Sequence, residues 1–165
     1  MSSIIVKENK FFLNNKVYKC SFGKNGFIKN KCEGDNKTPI GKWKLNRLFY
    51  RSDKIKLPNT QLPALKIQEN MGWCDDIKSD CYNQLIKLPF DYSCEKMWRN
   101  DDLYDIVIEL DYNVNNPVRG KGSAIFLHIA KPDYSGTEGC IAINIDDMLE
   151  ILPDLNTQTI IDIKG

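Results

Sequence analysis

The feature that most constrains this chain is the rhythm of its apolar residues. Short β-branched and aromatic runs recur along it, each cut off within a few residues by Asn, Gly or Pro. Residues 4–7, 11–13 and 17–22 are such runs, with Asn14-Asn15 as the turn between the second and third. Phe27-Ile28 follows Gly26, and 42–50 alternate after a loop at 34–41. Farther on, 104–110, 123–130, 140–143 and 157–163 read as strands, with basic, glycine-bearing 117–122 as a turn. One stretch reads as helix: Asn144 suits an N-cap, Asp146 and Asp147 favour the first turn, and Pro153 marks the end. Residues 52–102 break the rhythm. They hold Pro58, Pro63, Pro89 and Gly72 and read as an irregular, lid-forming insertion with one or two short helices, one capped by Ser93. No repeat or linker divides the chain, so the expectation is a single, mainly β domain over 1–165.

Composition narrows the classes. At 165 residues, with 42% hydrophobic and 27% charged side chains, the chain can bury a core of its own and wholesale disorder is excluded. Lys+Arg 23 against Asp+Glu 22 leaves a formal charge of +1, without the basic excess a nucleic-acid partner requires. The longest apolar runs, such as 124–127, fall far short of the about 18 residues of a membrane span. The first residues lack the basic start and apolar stretch of a secretory leader, so a cytoplasmic location is expected. The alternative is a leader already removed, which would place the protein in the periplasm or cell envelope.

Six cysteines share the chain with one histidine. No pair has C-x-x-C spacing, so neither a metal site nor a cofactor is expected, and the thiols read as reduced and mostly buried. Any imidazole base must be His128. It stands near the end of an apolar run, and Cys140 follows twelve positions later, after a loop holding Pro132, Gly136 and Gly139. If the two strands are neighbours, thiol and imidazole can meet, which is what a nucleophilic cysteine needs. Gly139, lacking a Cβ, would let backbone N–H groups face an incoming carbonyl oxygen. Spacing alone leaves open a core histidine and a core cysteine that never meet. The order His before Cys excludes the papain-like arrangement.

His128 and Thr137-Glu138-Gly139-Cys140 resemble the signature of the L,D-transpeptidase catalytic-domain family (YkuD type), a histidine followed by Ser/Thr-x-Gly-Cys. Gly34-Asp35-Asn36-Lys37-Thr38-Pro39-Ile40-Gly41 is similar to the family's Gly-Asp-x-x-Thr-Pro-x-Gly segment. The runs at 122–128 and 73–76 resemble one subgroup, and the likeness extends from about residue 25 to the end. It implies a β-sandwich or open barrel with one or two short helices, and action on the stem peptide of bacterial peptidoglycan, between a diamino acid's L-centre and the following D-alanine. In the implied chemistry His128 takes the proton of Cys140, the thiolate attacks, N–H groups around Gly139 and Cys140 hold the oxyanion, and a thioester forms. Water as acceptor gives an L,D-carboxypeptidase of murein recycling, the favoured expectation. A second stem gives an L,D-transpeptidase of the envelope, and an inactive peptidoglycan-binding module is the non-enzymatic alternative.

Two positions depart from the family pattern. Glu138 stands where many members have histidine, and Ala142 where many have an arginine thought to hold the substrate. Arg119, Lys121, Arg99, Arg51 and Lys131 are candidates to replace that arginine. Ser135, Thr137, Glu138 and Trp98 are further substrate-binding candidates; Trp73, Tyr82, Trp98 and Arg99 sit where a lid could lie, with aromatics closing a small core as the alternative. Oligomeric state is not legible.

Overall fold

The computed structural model describes residues 2–165. Its strands are β1 (Ser3–Lys7), β2 (Lys10–Leu13), β3 (Lys16–Ser21), β4 (Phe27–Ile28), β5 (Thr38–Pro39), β6 (Gly41–Tyr50), β7 (Ala64–Lys66), β8 (Met71–Cys74), β9 (Leu85–Lys87), β10 (Cys94–Lys96), β11 (Ile106–Leu110), β12 (Phe126–Ile129), β13 (Ile141–Ile143) and β14 (Ile160–Ile163). The helix α1 spans Ile145–Ile151. As its sequence predicts, Asn144 caps it, Oδ1 accepting from the Asp146 N–H at 2.8 Å, and a 3-10 turn at Leu152–Asp154 ends it.

The main sheet runs β11-β12-β13-β3-β2-β1-β14-β6-β7, and an added β11–β6 pairing closes the circuit into a barrel. Closure depends on β6, whose first half pairs with β14 and whose second half pairs with β11. Ile4 and Val6 of β1 alternate with exposed neighbours, so that edge of the barrel is buried on one face only. β11, β12 and β13 are buried throughout. Their alternate residues serve two cores: Ile108, Leu127, Ile129 and Ile141 fill the barrel, whereas Val107, Phe126 and Cys140 face outward into a second cluster with Trp73, Met97 and Tyr104.

That second cluster exists because of residues 52–102, and here the structure differs from the sequence-based expectation. The segment holds no helix; β8, β9 and β10 form their own sheet, ordered β10-β8-β9, over the outer face of the barrel. Ser93 caps nothing helical. Its N–H donates to Asp76 Oδ2, its Oγ bonds Asp75 Oδ1, and Cys94 goes on to pair with Cys74. Strands of three or four residues are too short for a periodicity to register, and their partners lie more than ten residues away along the chain. Trp73 stacks edge-on against Phe126 at 5.0 Å between centroids. Buried Asn83 ties the layers, its Oδ1 accepting from Trp73 Nε1–H and from the Ala124 N–H, both at 2.9 Å. Trp73 and Tyr82 are therefore core side chains, not parts of a mobile lid.

Candidate active site

β12 and β13 run parallel and adjacent, with His128 opposite Ala142 and Leu127 opposite Ile141. Side chains alternate along a strand, so His128, Ala142 and Cys140 lie on one face, the cysteine one strand across and one step back from the histidine. Both line one cavity of about 630 Å³ between the barrel face, the 131–139 loop and β10.

The loop is pinned on both sides. Thr137 N–H donates to Phe22 O, and Lys24 N–H to Thr137 O, each at 2.8 Å. Thr38 is fully buried; its Oγ1 donates to Gly139 O at 2.9 Å and accepts from the Gly23 N–H at 2.8 Å. The Gly-Asp-x-x-Thr-Pro-x-Gly segment thus braces the residue before the cysteine. Gly139 has φ +144, and a Cβ there would stand 3.0 Å from Lys37 O, so glycine is required on both counts.

Cys140 is 8% and His128 6% exposed. The thiol donates to Ala124 O at 3.1 Å and its sulfur accepts the Phe126 N–H at 3.3 Å. His128 Nδ1 lies 2.9 Å from Ile129 O. A carbonyl can only accept, so the proton sits on Nδ1 and Nε2 keeps its lone pair. The edge of Tyr104 packs on the imidazole at 5.3 Å.

Burial pulls the His128 pKa down to about 4 and pushes the Cys140 thiol up to about 12, the Glu95 carboxylate adding to the latter. The resting site is therefore a neutral thiol, its proton directed at Ala124 O rather than at His128, and a neutral imidazole lining the same cavity, not a thiolate–imidazolium pair. The expected oxyanion hole changes too. The Gly139 N–H is committed to Thr137 Oγ1 at 3.1 Å, and that hydroxyl donates to Cys140 O at 2.7 Å. Thr137 holds the loop.

Other sequence-based candidates divide. Ser135, Glu138, Arg99 and Lys131 line the cavity; Glu138 is exposed, as is Ser135, whose N–H goes to Asp133. Arg119 is turned away, with Asp80 and Lys78 O as its partners, and neither it nor Lys121 reaches the cavity. Short-range charge pairing on an exposed turn decided this. Arg51 is buried against Asp53 and Arg99 O, and its guanidinium lies 3.7 Å over the Trp98 ring. Trp98 lines a separate, shallower hollow.

Sequence reasoning missed Glu95, Tyr104 and Lys31. Tyr104 OH donates to Glu95 Oε1 at 2.5 Å beside the cavity, and burial raises the Glu95 pKa to about 7. The nearest guanidinium, Arg99, stands 3.8 Å off and is bound in bidentate fashion to Asp101. For Glu95 no periodic signal existed, since it sits on a three-residue strand.

The fold and the site define a mainly β protein with a histidine and a cysteine on adjacent parallel strands under a small covering sheet. The family described as "YkuD: L,D-transpeptidase catalytic domain" matches residues 4–163, and the chain belongs to it. Among solved structures, Bd1075 of Bdellovibrio bacteriovorus is similar with 17% identity and a TM-score of 0.51, over 98% of this chain and 46% of that one. The helical cell shape determining protein Pgp2 of Campylobacter jejuni matches at 16% identity and 0.48, over 99% and 48%. L,D-transpeptidase 1 of Mycobacterium tuberculosis matches at 12% and 0.44, over 99% and 59%. The chain spans about half the length of these proteins. A search of curated proteins finds no match.

Proposed function

We propose that this protein is a cysteine acyl transferase acting on the L,D bond between the diamino acid and D-alanine of peptidoglycan stem peptides, with water as acceptor, an L,D-carboxypeptidase. The observation that carries the reading is the placement of Cys140 and His128 on one face of neighbouring parallel strands, lining one cavity, with Nε2 left as the basic nitrogen. The neutral imidazole accepts the thiol proton as Cys140 attacks the carbonyl carbon. His128 then protonates the departing amine of D-alanine, and water cleaves the thioester. Lys131, at the mouth with no ion pair among the described residues, and Arg99 are the cations suited to a substrate carboxylate. A cavity of about 630 Å³ suits one short peptide as the acyl donor. Incubation with a tetrapeptide muropeptide, followed by chromatography, should yield free D-alanine and tripeptide. A cross-linked dimer would replace hydrolysis by transpeptidation, and an unchanged substrate that still binds would leave a binding module.

A further inference from the structure

Lys31 is 3% exposed, yet its ammonium reaches the wall of the active-site cavity. Two glycines make that possible. A Cβ on Gly122, at φ +108, would stand 2.8 Å from the Lys31 Cε, and one on Gly139 would stand 3.2 Å from its Nζ. The side chain threads the slot these two leave open and ends beside the peptide that precedes Cys140. Nζ donates to Asp35 Oδ1 at 2.6 Å and to Lys37 O at 2.7 Å, so one of its three donors has no partner among the described residues. Asp35 shares its charge with two further donors, the N–H groups of Cys32 and Lys37. The lysine is therefore not fully neutralised by its counter-ion.

We propose that Lys31 is a positioning residue for charge at this site: its fixed ammonium stabilises the negative charge that builds on Cys140 and the adjoining oxyanion as the thiol reacts. The inference rests on the reading of Cys140 as the nucleophile. It also bears on the oxyanion: the Gly139 N–H is occupied by Thr137, so that donor does not serve the oxyanion, and a nearby cation adds positive potential there. The groups facing Cys140 from the packed elements are Glu95 on β10, Tyr104 before β11, His128 on β12, Glu138 in the loop and Lys31. Of the two named as acting most strongly by charge, Glu95 holds the thiol up and Lys31 draws it down. A buried cation in a site that excludes water acts at low effective dielectric, where it counts for most.

The test is the rate at which iodoacetamide alkylates Cys140, mapped by mass spectrometry across a pH series, with exposed Cys32 as internal standard. In Lys31→Met, the pH at which Cys140 reaches a given rate should rise by about one unit, a loss of about tenfold at fixed pH; Lys31→Arg should restore most of it. A purely structural role predicts the reverse, a loosened pocket and faster alkylation, and either that result or an unchanged profile in folded Lys31→Met overturns the proposal. Should Lys31→Met fail to fold, Asp35→Asn keeps the cation and removes its counter-charge, and must move the profile downward. A Cys140→Ala protein that still releases D-alanine from a tetrapeptide would instead defeat the reading of Cys140 as nucleophile, leaving the two failures distinct.

Discussion

Two thiols in this protein are both buried and stand in different surroundings. Cys20 lies inside the barrel, 1% exposed; burial alone raises its pKa to about 12, and its sulfur has only Glu8 O at 3.7 Å as partner. Cys140, raised to the same value, lies outside the barrel face among directed groups: an N–H on its sulfur, a carbonyl on its proton, an imidazole one strand away and charges of both signs. Depth alone does not distinguish the two. What separates them is whether the wall holds groups that can accept the proton and meet the developing charge.

The sharpest way to break the comparison is to remove each sulfur in turn. Cys140→Ala should abolish D-alanine release, a loss of at least about a thousandfold, and keep the fold. Cys20→Ala should leave turnover intact and lower stability by about 1–3 kcal/mol in denaturant unfolding. Equal effects from both would erase the distinction.

Next in size is the backbone before Cys140. Gly139→Ala forces a Cβ against Lys37 O in a strained conformation, and should cost about 1–3 kcal/mol together with most of the turnover. An unchanged melting temperature and rate would show that the loop is not braced as described.

A third prediction concerns pH. The His128 pKa is lowered in the fold to about 4, so above the unfolded value of about 6.5 the group is neutral in both states and has no effect. As pH falls from there, only the unfolded state binds the proton, and stability declines until the folded pKa is passed. The loss is about 3 kcal/mol. Chemical denaturation between those values should show it, and His128→Gln should flatten that part of the curve.

The smallest effect comes from the carboxylate that holds the thiol up. Glu95→Gln keeps an acceptor for Tyr104 and removes the charge, so Cys140 alkylation should quicken a few-fold while that of Cys20 stays slow. Slower Cys140 alkylation would show that Glu95 assists the thiol.

Much of this was readable before any coordinates. The Asn144 cap depends on residues within a turn of each other, and the β1–β3 meander on runs separated by two-residue turns. The insertion was misread because its strands are three or four residues long and pair across distance, so no local preference announced them. Arg119 and Lys121 looked as eligible as Lys131, for charge in a sequence carries no direction.

By itself, then, the sequence determined a mainly β chain, the turns and cap that punctuate it, and a lone histidine followed by a family-like Thr-x-Gly-Cys motif, because those properties reside in neighbouring residues or in a motif. Tertiary structure alone decided which cations line the cavity, that Glu95 and Lys31 act on the thiol with opposite charge, and that the sulfur and imidazole rest uncharged. Each of those depends on burial and on through-space distances between segments up to a hundred residues apart, and desolvation is a property of the packed whole rather than of any stretch of chain.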